Sequence, residues 1–251
     1  MSDDRMGAEC ENVKPDASSP DDKASQVRRM FDRIAPSYDF MNRAMTLGID
    51  RLWRRKAVGM VARHGGTRIL DVATGTGDLA LQMARRIDGA EITGVDLSEG
   101  MIGIGREKVA RAGMSDRISL MAADCLALPF ADSTFDAVTA AFGVRNFADL
   151  SAGMREMARV TRPGGMLCVI ELSTPRGSVT GPLYRLYTRG IVPALGRLVS
   201  RDSNAYSYLP QSIAAVPQGR EMCALLEASG WKSASYLPLT FGSCTIYLAY
   251  N

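Results

Sequence analysis

The chain has 251 residues, 46% of them hydrophobic and 23% charged, with a net charge of +3. That size and balance fit one soluble α/β domain with a sizeable core, and they exclude a strongly basic polyanion binder. No apolar run of about 18 residues is present, which excludes a spanning helix. The five cysteines (Cys10, Cys125, Cys168, Cys223 and Cys244) are scattered and never spaced C-x-x-C. They read as free thiols in a reducing, cytoplasmic compartment, with no disulfide frame and no metal site.

Residues 1–23 hold seven acids against three bases and few large apolar side chains. They are expected to form a disordered acidic tail, ahead of one domain over 24–251. The tail has no apolar core of signal-peptide length. Val27, Met30, Phe31 and Ile34 recur at helical spacing, and Pro36 is expected to end that helix. Trp53, Ala57, Met60 and Val61 mark a second helix, stopped by Gly65-Gly66. His64, the one histidine, sits at its C-terminal end, where it suits the helix dipole better than catalysis.

Short apolar runs then alternate with helical patterns. Strands are expected at Arg68–Val72, Ile92–Asp96, Ile118–Met121, Phe135–Phe142 and Met166–Leu172, the last after a Pro163-Gly164-Gly165 turn. Helices are expected at Asp78–Arg86, at Ser98–Ala112 with Ser98 as cap, and around Leu150, Met154, Met157 and Ala158. Residues 180–216 break the rhythm with Pro182, Pro193 and Pro210 and read as an inserted helical lid. A helix over Gln218–Ala228 and two antiparallel strands, Trp231–Tyr236 and Thr245–Tyr250, close the chain. The pattern predicts a mostly parallel, Rossmann-like sheet of seven strands with helices on both faces and a final antiparallel strand.

Gly75-Thr76-Gly77-Asp78-Leu79-Ala80 matches G-x-G-x-x-A directly after a strand, and Asp96 ends the next strand 19 residues after Gly77. By pattern alone this is the dinucleotide fingerprint, so a dehydrogenase or nucleotide-binding module is one reading. Asp71 and Asp78 flank the glycines and favour another. Two like charges about 4 Å apart repel by ~4 kcal/mol at an effective dielectric near 20, which opposes a pyrophosphate. S-adenosylmethionine, with its ammonium and sulfonium, suits two carboxylates. Gly75 and Gly77 let the backbone turn and approach the ligand. Asp96 can take ribose hydroxyls, Asp124 the adenine amino group, and the Cys125 N–H a ring nitrogen; turns or caps are the alternative for both acids.

Four segments carry a resemblance over residues 24–251. The first holds Phe31-Asp32-Arg33-Ile34-Ala35-Pro36, Tyr38-Asp39-Phe40-Met41-Asn42 and Leu52-Trp53-Arg54-Arg55. The second is the Asp71–Asp78 loop. The third is Ala127-Leu128-Pro129-Phe130 with Phe142-Gly143-Val144-Arg145-Asn146. The fourth runs from Arg159-Val160-Thr161-Arg162-Pro163-Gly164-Gly165 to Glu171-Leu172-Ser173. The chain resembles the ubiquinone/menaquinone biosynthesis C-methyltransferases, which implies the class I methyltransferase fold. The resemblance implies cofactor contacts at Thr76, Asp96, Asp124 and Cys125, with Asp71, Gly75, Gly77, Leu97 and Ala141 in the same set. Ala141 stands where relatives commonly have serine, leaving only backbone contact. Asp50 stands where many relatives have histidine and is read as a helix cap.

The implied reaction is methylation of a ring carbon of a polyprenylated demethylquinol, with demethylmenaquinol favoured over a ubiquinone precursor; another lipid or small molecule is the alternative. Carbon attacks well only from the phenolate. Arg145, past the fourth strand, is the expected stabiliser, with Asn146 and Asp39 beside it. Tyr38 and Asn42 are expected to grip the quinol head, although a cap role fits Asp39 and Asn42 equally and a core role fits Tyr38. Tyr184, Tyr206, Tyr208 and Ser212 are expected along the acceptor pocket. Arg185, Arg189, Arg197 and Arg201 give the insert a basic amphipathic pattern, consistent with peripheral contact at the inner membrane face or with an ordinary solvated helix. No basic-aromatic stripe points to nucleic acid. A homodimer is compatible with the sequence.

Overall fold

The structure, a computed structural model, describes residues 8–175, 177 and 203–251, without side chains at residues 8 and 203–207. In chain order the helices are α1 (Ala8–Asn12), α2 (Lys23–Thr46), α3 (Asp50–His64), α4 (Asp78–Arg86), α5 (Glu99–Arg111), α6 (Leu150–Val160), α7 (Ser203–Ala215) and α8 (Arg220–Ala228). The strands are β1 (Arg68–Val72), β2 (Glu91–Asp96), β3 (Ile118–Ala122), β4 (Phe135–Ala141), β5 (Thr161–Leu172), β6 (Lys232–Leu239) and β7 (Cys244–Tyr250).

The seven strands form one sheet in the order β3-β2-β1-β4-β5-β7-β6. The first five run parallel, and β7 lies antiparallel to both β5 and β6, as the sequence pattern predicts. Ile69, Leu70, Asp71 and Val72 of β1 are all buried, because helices cover both faces of a parallel sheet. One core packs β1, β4 and β5 against α6 and α8 through Met154, Met157, Met222 and Leu226. The other packs α3, α4 and α5 through Val61, Met83 and Ile102. Strand order reverses between β1 and β4, so a crevice opens at their carboxyl ends. Ser98 caps α5 through the Met101 N–H at 3.1 Å, the expected start signal.

Three local expectations are corrected. Pro36 does not end its helix; α2 continues from Lys23 to Thr46. Pro36 removes one N–H, but Asp32, one turn earlier, is pinned to α5 by the Ser98 hydroxyl at 2.6 Å and the Gly100 N–H at 3.0 Å. Tertiary anchoring outweighs the break. The supposed tail is structured from Ala8 onward: Cys10 is fully buried, its thiol donates to the Arg145 carbonyl at 3.0 Å, and the Lys23 ammonium donates to the Cys10 carbonyl at 2.7 Å. Residues 1–7 lie outside the described residues. Asp50 caps nothing; it is a buried partner of Arg54 within α3 and accepts from the Thr46 hydroxyl at 2.9 Å.

The Pro163-Gly164-Gly165 turn is an irregularity inside a longer β5. A Cβ on Gly165 would lie 2.5 Å from Thr161 Cγ2, so glycine is required there. Of the insert, α7 is described, with Pro210 inside it. The basic pattern at Arg185, Arg189, Arg197 and Arg201 lies outside the described residues.

Candidate active site

The loop after β1 turns through left-handed backbone at Ala73 (φ 52°), Gly75 (φ 57°) and Gly77 (φ 75°). Asp71 lies beneath it, 1% exposed, accepting from the Thr74 hydroxyl at 2.6 Å and the Thr139 hydroxyl at 2.7 Å. Burial pushes its carboxyl up to about 6, against the pull of those two donors. Asp78 pairs with Lys108 of α5. The same ammonium reaches Asp39 at 2.6 Å and the Thr76 hydroxyl at 3.0 Å, and Thr76 in turn donates to Asp39 at 2.6 Å.

This geometry corrects the expected electrostatics. Neither Asp71 nor Asp78 lines the crevice; one is buried under the loop and the other is neutralised by Lys108. Thr76 and Gly77 stand back from it as well. The carboxylates that line it are those of Asp124 and Asp96, and Asp96 accepts from the Gly75 N–H at 2.9 Å and the Ser98 N–H at 2.9 Å. It occupies the loop amide that a pyrophosphate would need. Asp39, expected beside the phenolate stabiliser, is engaged with the glycine loop. It lines neither cavity, Lys108 and Thr76 engage its two oxygens, and these donors outweigh burial to hold its carboxyl below the usual range. Its role is to tie α2 to the glycine loop.

The crevice at the switch point encloses about 730 Å³. Gly75, Asp96, Leu97, Asp124, Cys125 and Ala141 line it, as the sequence predicts. One oxygen of Asp124 accepts from the Leu126 N–H at 2.9 Å. Burial pushes the Cys125 thiol far above its ordinary value, so it stays neutral. Phe142 adopts φ 60° just past β4, where its ring lies 5.1 Å from the Arg54 guanidinium. Gly143 must be bare, because a Cβ there would come within 2.4 Å of Ala73 Cβ. α2 supplies the outer wall through Val27, Phe31 and Tyr38.

A second cavity of about 490 Å³ shares Phe31, Tyr38 and Asn146 with the first. Met30, Ile34, Met41, Met45 and Leu209 make it apolar, and Asn42, Arg145, Asn146 and Tyr208 line it as well. Arg145 is buried with a partner that sequence reasoning missed: Glu171, 1% exposed at the end of β5, 2.7 Å from its Nη1. Three buried polar atoms here have no partner among the described residues: Arg145 Nε, Asn146 Oδ1 and Tyr208 Oη. Burial raises the Tyr38 and Tyr208 phenols, so both remain donors at neutral pH. Tyr206 lies on α7 with its side chain outside the description, and Tyr184 lies outside the described residues. Ser212 is buried and spends its hydroxyl on the Leu209 carbonyl at 3.0 Å, away from the cavity wall. Asp32, Lys108 and Glu171 had no visible role in the sequence, since each acts through a partner at least 26 positions away.

Among solved structures, the chain is similar to a SAM-dependent methyltransferase from Thermotoga maritima, with a TM-score of 0.60 and 18% identity over 88% of this chain and 98% of that one. It is similar also to the [4+2]-cyclase SpnF, with a TM-score of 0.59 and 21% identity over 91% and 96%. These likenesses establish the fold alone. Among sequence relatives, the demethylmenaquinone methyltransferase of Bacteroides fragilis is 46% identical over 95% of this chain and 97% of its own. The ubiquinone/menaquinone biosynthesis C-methyltransferase UbiE of Geobacter sulfurreducens is 46% identical over 90% and 88%. The demethylmenaquinone methyltransferase of Thermus thermophilus is 45% identical over 87% and 98%. The model of the ubiE/COQ5 methyltransferase family matches residues 19–251, and the chain belongs to that family.

Proposed function

We propose that the protein methylates a ring carbon of a polyprenylated demethylquinol, converting demethylmenaquinol to menaquinol with S-adenosylmethionine as methyl donor. The observation that carries this is the pairing of two joined cavities. One is a crevice at the switch point lined by the strand-end acids Asp96 and Asp124; the other is an apolar chamber whose lining residues Arg145, Asn146 and Tyr208 each keep a buried polar atom without a partner among the described residues. A quinol ring bearing two hydroxyls would satisfy those atoms while its apolar edge meets methionines. The names of the relatives from Bacteroides fragilis and Thermus thermophilus support menaquinol as the product.

When bound, S-adenosylmethionine supplies an electrophilic methyl group. Asp96 would accept its ribose hydroxyls with lone pairs left over from Gly75 and Ser98, and the second oxygen of Asp124 would accept the adenine amino group. Ala141 offers only its backbone.

The acceptor side must deprotonate a quinol hydroxyl so that charge reaches the ring carbon. Among the described residues lining the second cavity there is no acid or histidine. Water is assigned as the proton acceptor, and the fixed Arg145 cation makes the proton's departure easier by favouring the phenolate. Glu171 holds the guanidinium through Nη1 and leaves Nε to donate to the quinol oxygen. Asn146 Oδ1 can accept from the second hydroxyl. The sulfur–methyl bond would break as the carbon–methyl bond forms; the hydrogen on that carbon then leaves as a proton, and one proton returns to the oxygen to give the aromatic methylated quinol. Much of the acceleration comes from holding the reacting atoms in line, where effective molarities of about 10⁵–10⁸ M are available.

The polyprenyl tail argues for work at the inner face of the cell membrane. No helix among the described residues is long and apolar enough to cross a bilayer, and the contact proposed is a peripheral one. Incubation with S-adenosylmethionine and reduced demethylmenaquinone, followed by mass analysis of the quinone, tests the reading. A product heavier by one methylene supports it; methylation of a demethylated ubiquinol precursor alone would reassign the acceptor.

A further inference from the structure

We propose that the corner built from the end of α2, the start of α3 and α4 is the face that seats on an anionic lipid bilayer. The inference rests on the quinol reading for its purpose, but its observations stand apart from the active site. Phe40, Leu47 and Leu52 are 61%, 81% and 60% exposed, three of the few large apolar side chains turned to water among the described residues. Phe40 and Arg43 lie three apart on the outer face of α2, and Leu47 follows as its left-handed C-cap at the same end. Met41 and Met45 point the other way and line the second cavity.

A broad groove of about 1400 Å³ continues this face between α3 and α4. Five arginines line it: Arg43, Arg51, Arg55, Arg85 and Arg86. All five are exposed, and none is ion-paired among the described residues. The one acid in the lining, Asp78, is already held by Lys108. An unpaired basic groove fringed by exposed Phe and Leu is the chemistry of a surface that meets lipid headgroups with charge and the acyl boundary with apolar side chains. A nucleic acid would use the arginines and leave the three apolar residues wet. One helix thus presents its outer face to the bilayer and its inner face to the acceptor cavity, which shortens the path of a lipid-borne quinol to Arg145.

Co-sedimentation with vesicles of equal parts phosphatidylglycerol and phosphatidylcholine, at low salt, tests the surface. Three variants are compared: Arg51→Ala/Arg55→Ala, Phe40→Ser/Leu47→Ser/Leu52→Ser, and a control, Arg155→Ala/Arg220→Ala, on α6 and α8 across the sheet. The expected result is binding by the wild type, at least about tenfold weaker for each of the first two variants and unchanged for the control. All should methylate a short-tailed, water-soluble demethylquinol at the wild-type rate. No vesicle binding by the wild type would overturn the surface. Loss in the arginine variant with none in the apolar variant would also overturn it, marking a polyanion groove instead. Vesicle binding without quinol methylation would leave the surface standing and remove the proposed reaction.

Discussion

Arg145 Nη1 lies 2.7 Å from Glu171 Oε1, and both side chains are almost fully buried where β5 ends beside the turn after β4. The carboxylate and the Phe142 carbonyl hold Nη1, and Nε stays buried without a partner among the described residues. Removing either partner therefore has a different consequence. Arg145→Ala deletes the phenolate stabiliser and is expected to abolish turnover while S-adenosylmethionine affinity, measured by calorimetry, stays within a few-fold of wild type. Near-normal turnover would take Arg145 out of the mechanism.

Glu171→Gln keeps the shape but strands a buried cation. It is expected to lower unfolding free energy by roughly 3–5 kcal/mol, the range for breaking a buried pair, and to reduce kcat more than cofactor affinity. A urea melt indistinguishable from wild type would show that the pair contributes little.

Asp39 separates bracing from catalysis. As a member of the Lys108–Thr76 cluster, Asp39→Asn is expected to weaken cofactor binding by about tenfold, the loss of a charge-assisted bond, with kcat at saturation changed little. A collapse of kcat with unchanged cofactor affinity would restore Asp39 to the chemistry.

Asp71 couples stability to pH. Its folded-state carboxyl is raised from 3.8 to about 6, so the protonated form favours the fold. That favourable contribution is complete below about 4 and is lost as pH rises through about 6, a swing of about 3 kcal/mol. Asp71→Asn mimics the protonated group. The wild type should therefore fall behind the variant as pH goes from about 4 to about 7 in paired urea titrations. A constant difference would mean the carboxyl titrates normally.

Gly143→Ala tests how tightly the two loops at the switch point close. The added Cβ would sit 2.4 Å from Ala73 Cβ, with no flexible end to move. Cofactor affinity is expected to drop at least about tenfold through displacement of the glycine loop, whereas Gly103→Ala, with open space around it in α5, should be neutral or stabilising.

The strands and most helices were legible because periodicity and caps are local properties. The α2 helix was not, since Asp32 anchors it to Ser98 and Gly100 across 66 and 68 positions and carries it past Pro36. The crevice lining was legible at Gly75, Asp96, Leu97, Asp124, Cys125 and Ala141 because they end or closely follow parallel strands at the topological switch point. The charges at Asp71 and Asp78 misled for one reason. Sequence places a carboxylate near a loop, but not under it or in the grip of Lys108, whose own position lies 30 residues on. The second cavity was half legible: Tyr38, Asn42, Arg145, Asn146 and Tyr208 line it together, while Glu171 emerges only once β5 lies beside β4.

The central claim is carbon methylation of a quinol held against Arg145. The most direct measurement supplies S-adenosylmethionine with a carbon-13 methyl group to the purified protein and reduced demethylmenaquinone, then reads the quinone by carbon NMR. Label is expected in one methyl group bonded to a ring carbon, dependent on Arg145. Label in a methoxy group, or none in the quinone, would contradict it.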